Sequence, residues 1–229
     1  MDCEKADVFK TSAFLIDRIF MMKIDTEKWL TNISRHPKDV ENEYDSISHS
    51  YDAELEAKGY LAPQQATTII KNYVSNTENI ILEAGCGTGL LGLELNKQGF
   101  SNLTGMDISS NCLKEAESKN VYAKTVKHNL LEPFPFPDKT FDGVVCVGVF
   151  SRFDEAQIKQ IVAEFARVTK NEGIIIFSHR EDLITPLLHH TLDELETVRV
   201  ENVTETLPYF SIDEHYKNIK IRFFILRKL

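Results

Sequence analysis

Asn79-Ile80-Ile81-Leu82-Glu83-Ala84-Gly85-Cys86-Gly87-Thr88-Gly89-Leu90-Leu91-Gly92 decides the fold of this chain. It reads as a short apolar strand, a glycine turn, and the opening of a helix that runs to about Lys97. Glycine has no Cβ, so the backbone can approach a ligand closely there. The helix start aims its free N–H groups at the same place. The stretch therefore predicts a site for a nucleotide-like ligand. Two registers overlap in it. Gly87-Thr88-Gly89-Leu90-Leu91-Gly92 is a literal GxGxxG, with Asp107 about where a ribose-binding acid would stand. Read one glycine earlier, the pattern is Glu83-x-Gly85-x-Gly87-x-Gly89, which puts a carboxylate at the strand end. A pyrophosphate is repelled by an anion there, whereas a cationic ammonium is attracted. The second register is preferred.

Outward from this stretch, strands and helices alternate. Leu103 to Ser109 is a second strand ending in Asp107, and Ser109-Ser110-Asn111 would cap a helix from Cys112 to Lys119. Val121 to His128 is a third strand, and Pro133-Phe134-Pro135-Phe136-Pro137 forbids a helix after it. Phe141 to Phe150 is nearly continuous in apolar residues, as a buried parallel strand is. A helix from about Glu155 to Thr169, a fifth strand from Gly173 to Ser178, and a helix from Leu183 to Glu196 follow. The end resembles two antiparallel strands, Val198 to Val203 and Lys217 to Leu226. This alternation predicts an α/β fold, with a mostly parallel sheet, helices on both faces and right-handed crossovers.

Upstream, Gln64 to Tyr73 is the helix leading into the core. Ahead of it, Tyr44-Asp45 and Tyr51-Asp52 repeat at a spacing of seven, which places both pairs on nearly one helix face. Phe9, Ala13, Phe14, Ile16, Ile19 and Phe20 follow helical spacing, and Arg35-His36-Pro37 reads as a break. The expected organisation is an extension over 1–43, a helical cap and lead-in helix over 44–76, and a sheet core over 77–229.

The 229 residues suffice for one α/β domain, and 42% apolar with 27% charged residues is ordinary for a globular protein. A net charge of −9 opposes a nucleic-acid partner, which calls for a basic face. Cys3, Cys86, Cys112 and Cys146 show no CxxC spacing, so neither a structural metal site nor a disulfide framework is expected. No stretch has the apolar length of a membrane span, and the early acids Asp2, Glu4 and Asp7 oppose import signals. A cytoplasmic protein with a small-molecule partner is expected, a protein acceptor standing second.

Tyr44-Asp45, Tyr51-Asp52, Tyr60-x-Ala62-Pro63, Glu83-Ala84-Gly85-Cys86-Gly87-Thr88-Gly89, Phe141-Asp142 with Val147-Gly148, and Arg167-Val168-Thr169-Lys170 with Gly173 fall in order along the chain. With these, the region from about Tyr44 to Leu229 resembles the class I, Rossmann-like S-adenosylmethionine-dependent methyltransferases. Within them it resembles the Williams–Beuren syndrome chromosome region methyltransferase-like proteins. The resemblance implies a seven-stranded sheet with the last strand antiparallel and S-adenosylmethionine bound at the C-terminal strand ends, leaving S-adenosylhomocysteine. It implies that Glu83 meets the methionine amino group, that Gly85, Gly87 and Gly89 line the cofactor with Cys86, and that Asp107 holds the ribose hydroxyls. Ile108 would pack on the adenine, Asn129 would accept its amino group, Leu130 would line the cofactor beside it, Cys146 and Val147 would offer carbonyls, and Tyr51 would close from the cap. Asn129 replaces the aspartate usual in the family, but its amide oxygen is still an acceptor.

Methyl transfer needs alignment first, and a base only where the acceptor must lose a proton. His179 is the candidate base, and Arg152 and Arg180 are candidate anchors for an acidic substrate. Ser151, Phe153 and His189-His190 also stand after strands four and five. No Asn-Pro-Pro-Tyr, Asp-Pro-Pro-Tyr or Pro-Cys motif follows strand four, which disfavours adenine-N6, glutamine and pyrimidine-C5 methylation. A cofactor-binding regulator without turnover is the alternative reading, and an NAD-dependent oxidoreductase, opposed by Glu83 and the antiparallel tail, is the third.

Overall fold

The computed structural model describes residues 34–212 and 216–229, so the amphipathic helix expected near residues 9–20 lies outside the described residues. Two helices, α1 (Pro37–Lys58) and α2 (Ala62–Tyr73), lead in. They are followed by β1 (Ile81–Ala84), α3 (Leu90–Lys97), β2 (Leu103–Asp107), α4 (Ser110–Ser118) and β3 (Lys124–Lys127). Then come β4 (Phe141–Cys146), α5 (Glu155–Val168), β5 (Thr169–Arg180), α6 (Pro186–Asp193), β6 (Val198–Val203), β7 (Leu207–Pro208) and β8 (Lys220–Lys228).

The sheet runs β3-β2-β1-β4-β5-β8-β6. Strands β1 to β5 are parallel, and β8 lies antiparallel between β5 and β6. The expected seven strands are therefore present, with the last one reversed. An eighth, the two-residue β7, pairs with the start of β8; it is too short to show an alternating pattern. Chain order reverses between β1 and β4, and crevices at such a switch point are where α/β sheets bind ligands.

The pleat sends alternate residues to opposite faces. Leu82 and Ala84 join Ile158, Ile161 and Phe165 of α5 in one apolar cluster. Glu83 points the other way, toward α3 and Tyr122. Phe150, Phe177 and Phe224 stack in series, with ring centroids 4.3 and 4.9 Å apart. Such pairs add to what area burial gives. Helix α5 starts on a capping box in which Asp154 and Gln157 satisfy each other's backbone N–H.

Helix α1 begins on Pro37, ahead of residue 44, because proline is tolerated in a first turn, where its missing N–H has no partner to lose. Only Ser48 and Leu55 of α1 are buried. Gly59 ends the helix at φ 69°, and a Cβ there would lie 2.2 Å from the Ser211 hydroxyl. Residues 58–61 hydrogen-bond to 209–212, which brings Tyr209 against Tyr60. No helix among the described residues is long and apolar enough to cross a membrane.

Candidate cofactor and acceptor site

A cavity of about 990 Å³, counted with its open mouth, lies where β1, β2 and β4 end, with α1 contributing to its wall. The glycine turn is part of the lining. Gly85 and Gly87 have φ of 72° and 53°, the left-handed region that favours glycine. A Cβ on Gly85 would lie 2.5 Å from Val149, whereas one on Gly87 would meet nothing within 4 Å. Gly87 thus leaves open space beside bare backbone. The turn is anchored from behind by the Gly85 and Cys86 N–H groups, which donate to the Met106 carbonyl at 2.7 and 3.0 Å.

Glu83 lines the cavity and is 4% exposed. Burial pushes its carboxyl up to about 8, against the pull of a 2.7 Å hydrogen bond from the Tyr122 hydroxyl. Tyr122 reaches it through a slot of glycines: a Cβ on Gly92 would lie 2.3 Å from the Tyr122 hydroxyl, and one on Gly105 3.2 Å from its ring. The last glycine of GxGxxG therefore makes room for a tyrosine of the chain itself. Nothing in the local pattern marks Tyr122, and the sequence reading missed it.

Asp107 also lines the cavity. Its Oδ2 accepts the Gly87 N–H and its Oδ1 the Ser109 N–H, each at 2.8 Å, so this carboxylate ties β2 to the glycine turn. Burial raises its pKa while those N–H groups lower it. Ser109 caps α4 by accepting the Cys112 N–H, as expected. Ile108, Asn129 and Leu130 lie in the same wall. Asn129 already accepts the Leu131 N–H at 3.1 Å through Oδ1.

Helix α1 completes the wall and explains the Tyr-Asp repeat. Tyr44 and Tyr51 both line the cavity, with rings edge-on at 6.0 Å. Their neighbours grip the core. Asp45 accepts from the Ser109 hydroxyl at 2.6 Å and the Asn111 N–H at 3.0 Å. Asp52 accepts from the Thr88 hydroxyl at 2.5 Å and pairs with Lys119 at 2.7 Å. Glu41 and Glu43 of the same helix pair with Lys127 and Arg152.

The cavity gathers Tyr51, Glu83, Gly85, Cys86, Gly87, Asp107, Ile108, Asn129, Leu130, Val147 and Arg152 of the expected set. It does not include Gly89, Cys146, His179 or Arg180. Gly89 is the N-cap of α3, where a Cβ would press on Tyr122 at 3.0 Å and Ala116 at 3.2 Å. Cys146 is fully buried in the apolar cluster. His179 is 4% exposed, with Nδ1 3.0 Å from the Arg180 carbonyl oxygen. The pleat puts it on the same face as Phe177, against the α5 side, and burial lowers its pKa. Arg180 pairs with Asp182. His190 is exposed and faces Glu194. Tyr44, Tyr60, His128 and Val149 line the cavity without having been named as site residues. Tyr60 sits with its hydroxyl 3.5 Å from that of Tyr209.

Residues 81–173 match a methyltransferase domain family. The chain is 31% identical over 160 residues to human methyltransferase-like protein 27, a match covering 67% of this chain and 64% of that protein. It is 30% identical over 146 residues to the ubiquinone biosynthesis O-methyltransferase of Rickettsia bellii, covering 59% of each. The chain thus spans rather less than two thirds of these relatives' length. Among solved structures, a TehB-like SAM-dependent methyltransferase from Corynebacterium glutamicum superposes with a TM-score of 0.64 at 17% identity, over 82% of this chain and 99% of that one. That likeness shares the fold. Strand order, the acid-glycine turn and these matches agree, and the chain belongs to the class I S-adenosylmethionine-dependent methyltransferases.

Proposed function

We propose that this chain binds S-adenosylmethionine in the cavity over β1, β2 and β4 and transfers its methyl group to a small-molecule acceptor. The observation that carries the reading is Gly87, where bare backbone borders open space between two acids, Glu83 and Asp107. An adenosine joined to an amino acid suits that arrangement. Asp107 would accept the ribose hydroxyls on lone pairs left after its two backbone bonds. Ile108 and Leu130 would cover the base, Glu83 would favour the α-ammonium, and Tyr51 would close the wall from α1.

When bound, the sulfonium supplies an activated methyl group, so the chain's own task is alignment and exclusion of water, worth about 7–11 kcal/mol for a well-held pair. The aromatic rings of α1 and the turn after β4 bound the space where an acceptor would lie. The acids bordering the turn and the family membership both weigh against an NAD site.

Calorimetric titration of the full chain with S-adenosylmethionine, S-adenosylhomocysteine and NADH tests the reading. Micromolar binding of the first two without NADH is the expected result. Silence from both, or heat from NADH alone, would remove it.

A further inference from the structure

Arg152 follows β4, is 5% exposed and lines the cavity, where an acidic acceptor would be expected to meet it. Its charge is already matched. Glu43 of α1 accepts from its two terminal nitrogens at 2.9 and 3.1 Å, one carboxylate oxygen to each, and the Tyr44 ring lies 5.4 Å from the guanidinium carbon. Such a forked pair is geometrically specific and stronger than a single charged contact. An incoming carboxylate would have to displace Glu43 or settle beside it, and like charges in a poorly hydrated space repel strongly.

Most of the rest of this wall is apolar or aromatic: Val40, Tyr44, Tyr60, Val149 and Phe153. The other cation on it, Arg35, is exposed, where water and salt screen it. The candidate base is absent from this wall too among the described residues, since His179 is turned onto the α5 face. The histidine that does line the cavity is His128, next to Asn129.

Resting on the methyltransferase reading, we propose that the space between α1 and the turn after β4 takes an uncharged, apolar or aromatic acceptor. Glu43 sets that preference by holding the Arg152 charge away from an anion. The pair is a specificity device: it keeps a cation in the wall as a structural tie to α1 while presenting a net-neutral surface. Aromatic side chains offer a flat acceptor offset or edge-on ring contacts.

The test uses two probes of the same shape, 2-naphthamide and 2-naphthoate, titrated into the full chain saturated with S-adenosylhomocysteine. Wild type is expected to bind the amide at least about tenfold more tightly than the carboxylate. Glu43→Gln keeps the shape and releases the Arg152 charge. It is expected to raise naphthoate affinity about tenfold while changing naphthamide less than about twofold. The double variant Glu43→Gln with Arg152→Gln should lose that gain. Equal or stronger binding of naphthoate to wild type, binding of neither probe, or no gain in Glu43→Gln each overturns the proposal. If the variants do not fold, the wild-type pair decides alone. The S-adenosylhomocysteine heat is read first: its absence sinks the cofactor reading and this proposal with it, whereas intact heat with the wrong preference sinks this proposal alone.

Discussion

Among the described residues the Glu83 carboxyl is held by a single side-chain donor, the Tyr122 hydroxyl, 39 residues further along the chain. Gly92 and Gly105 lack the Cβ atoms that would block the tyrosine. Tyr122→Phe keeps the ring in that slot and removes only the donor. A buried acceptor losing its partner costs about 1–3 kcal/mol. With the stronger of two opposing hydrogen bonds gone, the Gly92 backbone N–H keeping the other, burial raises the Glu83 pKa further. The variant should therefore melt earlier and bind S-adenosylhomocysteine more weakly at neutral pH, read by calorimetry on both proteins. Equal affinity and equal melting would show that the hydroxyl does not position Glu83. Glu83, Gly85 and Gly87 could be read from sequence because the turn that presents them is local, each residue type being demanded by backbone or charge within a few positions, and Asp107 because it ends the next strand. Tyr122 could not, because its reason lies in space: a tyrosine ahead of a short strand looks like any half-buried aromatic until Gly92 and Gly105 are seen around it.

Helix α1 is attached mainly by carboxylates, since Ser48 and Leu55 are its only buried residues. Polar latches that trade protein partners for water open more cheaply than apolar ones, and lids are drawn from such low-stability elements. Asp52 is the latch over the glycine turn itself, through Thr88 and Lys119. Asp52→Ala should accelerate amide hydrogen exchange across residues 37–58 and speed S-adenosylhomocysteine release, while β1, β4 and β5 keep wild-type protection. Its cost in global stability should be about 1–3 kcal/mol, since the buried Thr88 hydroxyl loses its acceptor along with the Lys119 pair. Exchange in α1 indistinguishable from wild type would mean that other contacts hold the helix. The seven-residue spacing made the shared face of the Tyr-Asp pairs legible. It did not reveal that the tyrosines turn to the cavity and the aspartates to the core, because aspartate is equally at home as a helix cap. The strand pleat likewise decides His179: its position after a parallel strand suggested the cleft, but the alternation of β5 turns it onto the α5 face beside Phe177.

At the scale of the molecule, the parallel core was legible because its central strands β1 and β4 are buried on both faces and read as apolar runs between helices. The place of β8 between β5 and β6 was not, since strand order depends on long-range pairing that no local pattern carries. Glu83 sits on the central strand β1, between β2 and β4, and its burial has a pH signature. Folded Glu83 keeps its proton up to about 8, whereas the unfolded chain releases it near 4.5. Between those values the folded state binds the extra proton, so this group's contribution to stability is full below 4.5 and is lost as pH rises toward 8. The slope is at most about 1.4 kcal/mol per pH unit for one such group. Asp107, also raised by burial, adds a loss of the same sign. His179, lowered by burial, acts oppositely, its contribution being lost as pH falls through its own titration. Comparing wild type with Glu83→Gln cancels the last two. Without ligand, the melting temperature of wild type should fall relative to the glutamine variant between about pH 5 and 8. Saturating S-adenosylhomocysteine should flatten the wild-type decline, because an ammonium beside Glu83 favours the ionised form. Parallel curves for the two proteins would mean that Glu83 ionises normally in the fold and that its burial does not control the site.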